Sequence, residues 1–102
     1  MKLLVTGAGG FLGRHVVAEA LRRGHVVRAM IRPASVVPQG QPNLEVVKAD
    51  LRSSRGLAEI VRGCDAVLHL AAATSGDLYA QLSGTVVATE NLLTAMAAAN
   101  VR

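Results

Sequence analysis

The sequence of 102 residues predicts an α/β fold, a parallel sheet wound on both faces by helices with strand order 3-2-1-4. Three observations carry that expectation. Short apolar runs alternate along the chain with segments of helical period. The first run enters a cluster of glycines, and the apolar fraction of 51% with 18% charged residues is that of one compact domain.

The elements follow in order. Lys2 to Thr6 is a short apolar run that reads as a buried strand, and Gly7, Gly9, Gly10 and Gly13 turn the chain after it. From Phe11 to Arg23 the residues Leu12, Val16, Val17, Ala20 and Leu21 recur at helical spacing, with Gly24 as the stop. Val26 to Ile31, rich in β-branched residues, is a second strand, and Pro33, Pro38, Gly40 and Pro42 make the next stretch a loop. Leu44 to Val47 is a third strand. Asp50 to Ser54 leads into a helix with the apolar face Leu57, Ile60 and Val61, closed by Gly63. Ala66 to Leu70 is a fourth strand and Thr74 to Asp77 a turn. Leu78 to Asn100 is largely helical, with Leu82, Val86, Leu92, Leu93 and Met96 as its apolar positions and Gly84 as a candidate break or bend. No repeat and no linker marks a second domain, so residues 1–102 are read as part of a single domain.

Composition narrows the function. The net charge is +4, but the basic residues are scattered and Phe11 and Tyr79 are the only aromatic side chains, so base stacking is poorly supplied and a nucleic-acid partner is not expected. The apolar stretch from Ala66 to Ala73 is far shorter than the roughly 18 residues of a membrane span. Leu3 to Val5 is too short for a secretory signal, and the single cysteine, Cys64, forms no internal disulfide, which makes the cytoplasm the expected compartment. His15, His25 and His69 fall in three different elements without metal-ligand spacing. His69, inside an apolar strand, reads as a hydrogen-bonded core residue, and Cys64 as a small, semi-buried one.

The glycine cluster carries the chemistry. A strand ending in Gly7-Ala8-Gly9-Gly10-Phe11-Leu12-Gly13 and opening a helix brings backbone close to a phosphate and offers unpaired N–H groups at the helix start. Gly7, Gly10 and Gly13 give Gly-x-x-Gly-x-x-Gly, since Leu12 stands where Gly-x-Gly-x-x-Gly needs its third glycine. No Lys-Ser or Lys-Thr closes the motif, which excludes a P-loop. The arrangement is expected to be the beginning of a Rossmann-type sheet, incomplete at four strands.

Thr6-Gly7-Ala8-Gly9-Gly10-Phe11-Leu12-Gly13 resembles the Thr-Gly-x-x-Gly-x-x-Gly fingerprint of the extended and atypical short-chain dehydrogenases/reductases, the group of NAD-dependent epimerase/dehydratases and dihydroflavonol-reductase-like proteins. Asp50-Leu51, His69-Leu70-Ala71-Ala72 and Thr89-Glu90-Asn91-Leu92-Leu93 resemble further segments of that group in the same order, so the likeness covers nearly the whole chain. It implies that Gly7, Gly10 and Gly13 receive a pyrophosphate, that Phe11 and Leu12 lend N–H groups, and that Asp50 and Leu51 bracket an adenine. Ala71 and Ala72, after the fourth strand, complete the implied cofactor set. A carboxylate at Asp50 suits an exocyclic amine; the competing expectation is that Asp50 is the N-cap of the helix after it. No acidic residue lies between Glu19 and Glu45, where NAD-binding folds place one on the ribose 2′-OH, whereas Arg32 stands at the strand end and Arg14 follows Gly13. Converging guanidiniums suit a 2′-phosphate, so NADP is the expected cofactor and NAD the alternative.

The catalytic Tyr-x-x-x-Lys of that group has no counterpart here: Tyr79 is the only tyrosine, and Ser83 follows it at the fourth position. Thr85-Val86-Val87-Ala88-Thr89 also departs from the group's Asn-Val-x-Gly-Thr. No catalytic residue is assigned, and two functional readings stand. One is the NAD(P)-binding part of a reductase, epimerase or dehydratase whose carbonyl or sugar-nucleotide substrate site lies outside these residues. The other is a non-catalytic NAD(P)-sensing regulator of the NmrA-like kind. An apolar fourth strand with no fifth to pair it leads to the expectation that the 102-residue chain self-associates.

Overall fold

Runs of apolar, often β-branched residues form the strands β1 (Lys2–Thr6), β2 (Val26–Ile31), β3 (Leu44–Lys48) and β4 (Ala66–His69) in the computed structural model, which describes residues 1–34, 40–72 and 76–101. All neighbouring strands are parallel and the order is β3-β2-β1-β4, as the sequence predicts. Leu3 of β1 lies opposite Val27 on one side and Ala66 on the other, and Val27 lies opposite Leu44. Pro38 and Thr74, read from the sequence as loop and turn residues, lie outside the described residues.

Successive side chains of a strand point to opposite faces, and here both faces are apolar. Leu3 and Val5 of β1, with Val27, Ala29 and Ile31 of β2, pack under the helix α1 (Phe11–Arg22) through Val17 and Ala20. Leu4 and Met30 point the other way, into a second core with Leu57 and Val61 of the short helix α2 (Leu57–Val61) and Ala88, Leu92 and Ala95 of the helix α4 (Ala88–Ala99). Cys64 is buried in this second core. Arg28 of β2 crosses to the same side, where its guanidinium donates to the carbonyls of Ile60 and Arg62 at the end of α2 and its Nε to Glu45 Oε2 at 3.0 Å. A cation at that end satisfies carbonyls the helix leaves unpaired.

Several boundaries differ from expectation. The helix after Asp50 starts only at Leu57: residues 50–56 are used in turns, with the Ser53 N–H donating to the Asp50 carbonyl at 3.0 Å and Gly56 in the left-handed region at the N-cap. Asp50 is therefore no helix cap. Strand β4 stops at His69 because the Leu70 N–H leaves the ladder for the hydroxyl of Thr6. Gly84 does not break the last helix. Asp77 caps α3 (Leu78–Gln81) through its side chain, a π-helical turn spans Leu82–Val87, and the chain continues directly into α4. The buried stripe is Ala88, Leu92 and Ala95, so Leu82, Val86 and Leu93, expected on the apolar face, are exposed. Among the described residues no helix is long and apolar enough to cross a membrane.

Candidate functional site

The parallel strands all end on one side of the sheet, and β1 and β4 diverge there into different connections, which opens a crevice between them. A cleft of about 770 Å³ occupies this position, within the range of roughly 300–1,000 Å³ typical of small-molecule sites. Its walls come from Gly7, Gly9 and Gly10 after β1, Met30 and Ile31 at the end of β2 with Arg32 to Ala34 after it, Ala49 to Arg52 after β3, and Leu70 to Ala72 after β4. Ala80, Gly84 and Ala88 of the last helix form its floor on the remaining side.

The glycines are demanded by close approach. Gly7 has φ +65°, and a Cβ on it would lie 2.8 Å from the nitrogen of Ala71. A Cβ on Gly13 would lie 2.0 Å from the carbonyl oxygen of Gly7, so α1 presses directly onto the turn. Gly13 is accordingly buried, and its glycine character serves helix-to-turn packing rather than an open approach to the cleft. Gly10 is different: it is exposed, and a Cβ there would meet the Gly7 carbonyl at 3.4 Å. Gly10 is also the N-cap of α1, with no side chain capping the helix, and the first α1-type bond runs from the Arg14 N–H to its carbonyl at 3.0 Å. The N–H groups of Phe11 and Leu12 have no partner one turn back, and the helix dipole adds partial positive charge there. The side chain of Phe11 is 81% exposed and lies edge-on to the ring of His15, so Phe11 offers its backbone to the turn.

At the opposite end of the cleft Asp50 is held by Arg52. Its Oδ1 accepts from the Arg52 backbone N–H at 3.0 Å and its Oδ2 from Nη2 at 2.7 Å. The Arg52 guanidinium, then its N–H, then the more distant charge of Arg32 hold the Asp50 carboxyl below its usual range. Leu51 is buried beside it, and its carbonyl accepts from Asn91 Nδ2 of α4 at 2.8 Å. Arg32 is exposed on the cleft wall, whereas Arg14 lines a separate apolar cavity of about 180 Å³ with Val17, Leu21, Leu44 and Val46. The two arginines expected to converge thus border neighbouring depressions that share Ile31.

Two polar ties escaped the sequence reading. Thr6, fully buried, receives the N–H groups of Leu70 and Ala71 on Oγ1 at 3.1 and 3.2 Å and lies 2.6 Å from His69 Nδ1. His69 Nε2 in turn lies 2.9 Å from Thr89 Oγ1. With the Asn91 bond, α4 reaches both walls of the cleft. Thr89 and Asn91 carry a family likeness in sequence, but spacing alone gives no sign of partners 20 and 40 residues away.

A glycine turn feeding an uncapped helix where the strand order of a parallel sheet reverses defines a Rossmann-type dinucleotide-binding protein. The chain belongs to the NAD(P)H-binding family, which matches residues 7–102. It is 35% identical over 106 residues to cinnamoyl-CoA reductase 1 of Petunia hybrida, covering 96% of this chain and 32% of that protein. It is 39% identical over 110 residues to a 3 beta-hydroxysteroid dehydrogenase/Delta 5-->4-isomerase of Mycobacterium tuberculosis, covering 99% of this chain and 30% of the relative. Among solved structures, uronate dehydrogenase from Agrobacterium tumefaciens superposes with a TM-score of 0.84 at 31% identity, over 97% of this chain and 37% of that one. MoeE5 in complex with UDP-glucuronic acid and NAD does so with 0.87 at 32%, over 100% and 34%. The chain spans about a third of the length of these relatives. It is an NAD(P)-binding domain of the epimerase, dehydratase and reductase members of the short-chain dehydrogenase/reductase group.

Proposed function

We propose that residues 1–102 are the cofactor-binding portion of an NADP-linked reductase, epimerase or dehydratase acting on a carbonyl compound or sugar nucleotide. The observation that carries this reading is the uncapped start of α1 above Gly7 and Gly10, open to a cleft that ends at Asp50 and Arg32. Gly7 and Gly10 leave room for a pyrophosphate, Gly13 lets the helix close on the turn, and the N–H groups of Phe11 and Leu12 donate to it. Asp50 and the apolar edge of Leu51 take the adenine, and Ala71 and Ala72 form the wall toward the nicotinamide half. When bound, the nicotinamide supplies the hydride acceptor or donor of the reaction. The residues present fit the group in size and in charge.

NADP over NAD is supported by Arg32, exposed on the cleft wall with no carboxylate at the end of β2; Arg14, which borders the neighbouring cavity, does not add to it. Isothermal titration of both cofactors is the test: NADP binds at least about tenfold more tightly than NAD, and Arg32→Ala removes most of that difference. NAD binding as tightly as NADP refutes the assignment. Among the described residues no strand pairs the outer edge of β4, and Leu68 on that strand and Leu78 and Tyr79 beyond it are exposed, which supports self-association of this chain. Sedimentation at low micromolar concentration gives a dimer or larger species; a clean monomer refutes it.

A further inference from the structure

Thr6, His69 and Thr89 come from β1, β4 and α4, and together they form one hydrogen-bonded line beneath the cleft. A hydroxyl has two acceptor sites and one proton. The N–H groups of Leu70 and Ala71 fill both acceptor sites of Thr6, which is 0% exposed and out of reach of water. Its proton therefore goes to His69 Nδ1, 2.6 Å away. Nδ1 is then an acceptor, so the ring is neutral and Nε2 carries the hydrogen, donated to Thr89 Oγ1 at 2.9 Å.

We propose that His69 is a positioning residue for the dinucleotide: as the neutral Nε2–H tautomer it locks Thr6 onto the Leu70–Ala71 wall, and cofactor affinity depends on that lock. This inference rests on the cofactor reading above. Ala71 is the residue whose nitrogen lies 2.8 Å from where a Gly7 Cβ would sit, so wall and glycine turn are in direct contact. Protonating His69 places an N–H against a Thr6 oxygen whose acceptor sites are full. Either an amide bond to the wall breaks, or the ring leaves and the Thr6 hydroxyl loses the acceptor that fixes its orientation; in both cases the Leu70–Ala71 wall beside Gly7 is held less firmly. Burial alone acts on the ring and favours its neutral form; β1 and α4 face it with the uncharged Thr6 and Thr89.

The test uses the full chain with His15→Gln and His25→Gln, which leaves His69 as the only histidine. Ring nitrogen NMR at pH 8 is expected to show Nδ1 bare and Nε2 protonated. NAD serves as titrant because none of its own groups titrates between about pH 5 and 8. Its affinity is expected to fall at least about threefold from pH 8 to pH 5, in step with ring protonation. His69→Gln binds more weakly than the parent at pH 8 and loses no further affinity on acidification; Thr89→Val weakens binding and Thr89→Ser restores it. A protonated Nδ1 at pH 8, or an acid loss of equal size in His69→Gln, overturns the inference alone. No NAD binding by the parent at pH 8 overturns the cofactor reading together with it.

Discussion

The two ends of the cleft are built on different principles. At the glycine end the geometry is made of backbone: Gly13 lies against the Gly7 carbonyl, Gly7 against Ala71, and at these two positions no atom can be added without moving main chain. At the Asp50 end it is made of side chains, a half-buried carboxylate and an exposed guanidinium that, among the described residues, are hydrogen-bonded to each other alone. Backbone contacts leave a few tenths of an ångström of tolerance, whereas an exposed ion pair rearranges at little cost. On the proposed reading the glycine end fixes where a pyrophosphate would sit, and the Asp50 end adapts to what lies beyond it.

The difference is broken most severely at Gly13. Gly13→Ala places a methyl group 2.0 Å from a backbone oxygen, and the expected result is a loss of at least about 3 kcal/mol of stability, read as a lowered urea midpoint. An unchanged midpoint would show that α1 can slide off the turn. Gly10→Val comes next and separates site from fold, because a Cβ there is in ordinary contact at 3.4 Å. NADP affinity is expected to fall more than about 100-fold while the melting midpoint moves by less than about 4 °C. Retained affinity in the folded variant would remove the glycine turn from the site. The smallest effect belongs to Asp50→Asn, which keeps the shape but releases Arg52: NADP affinity falls only a few fold, and the midpoint at pH 7 hardly moves. The Asp50 carboxyl is held below its usual range, so whatever stability it contributes is present above about pH 4 and lost as pH falls through its native value. The Asn variant is expected to lack that part of the acid response, and an acid melt identical to the parent's would show that the pair contributes nothing.

The same division explains what was legible in the sequence. Strand β2 was readable to the residue and β1 likewise, because buried parallel strands are continuous apolar runs bounded by turn residues. The glycine turn was readable because its backbone demands leave one residue type possible. Less was legible where side chains compete with secondary structure. The Asp50 and Ser53 side chains accept from the N–H groups of Arg52 and Arg55, drawing the chain into turns that delay α2 to Leu57, and Thr6 draws Leu70 out of β4. The π-helical turn has no composition of its own, and the shift it produces left Leu82 and Val86 on the wrong face of the expected stripe. The ties from Thr89 and Asn91 span too much sequence for any periodicity to register.

Cys64 lies in the core shared by β1, β2, α2 and α4, and burial pushes its thiol above the ordinary cysteine range. Both conditions suppress the thiolate, the only reactive form, as long as that core is closed. The residue is therefore a reporter for one face of the sheet. Labelling by a thiol reagent in native buffer requires α2 and α4 to part from β1 and β2, and it is silent to fraying of α1 on the other side.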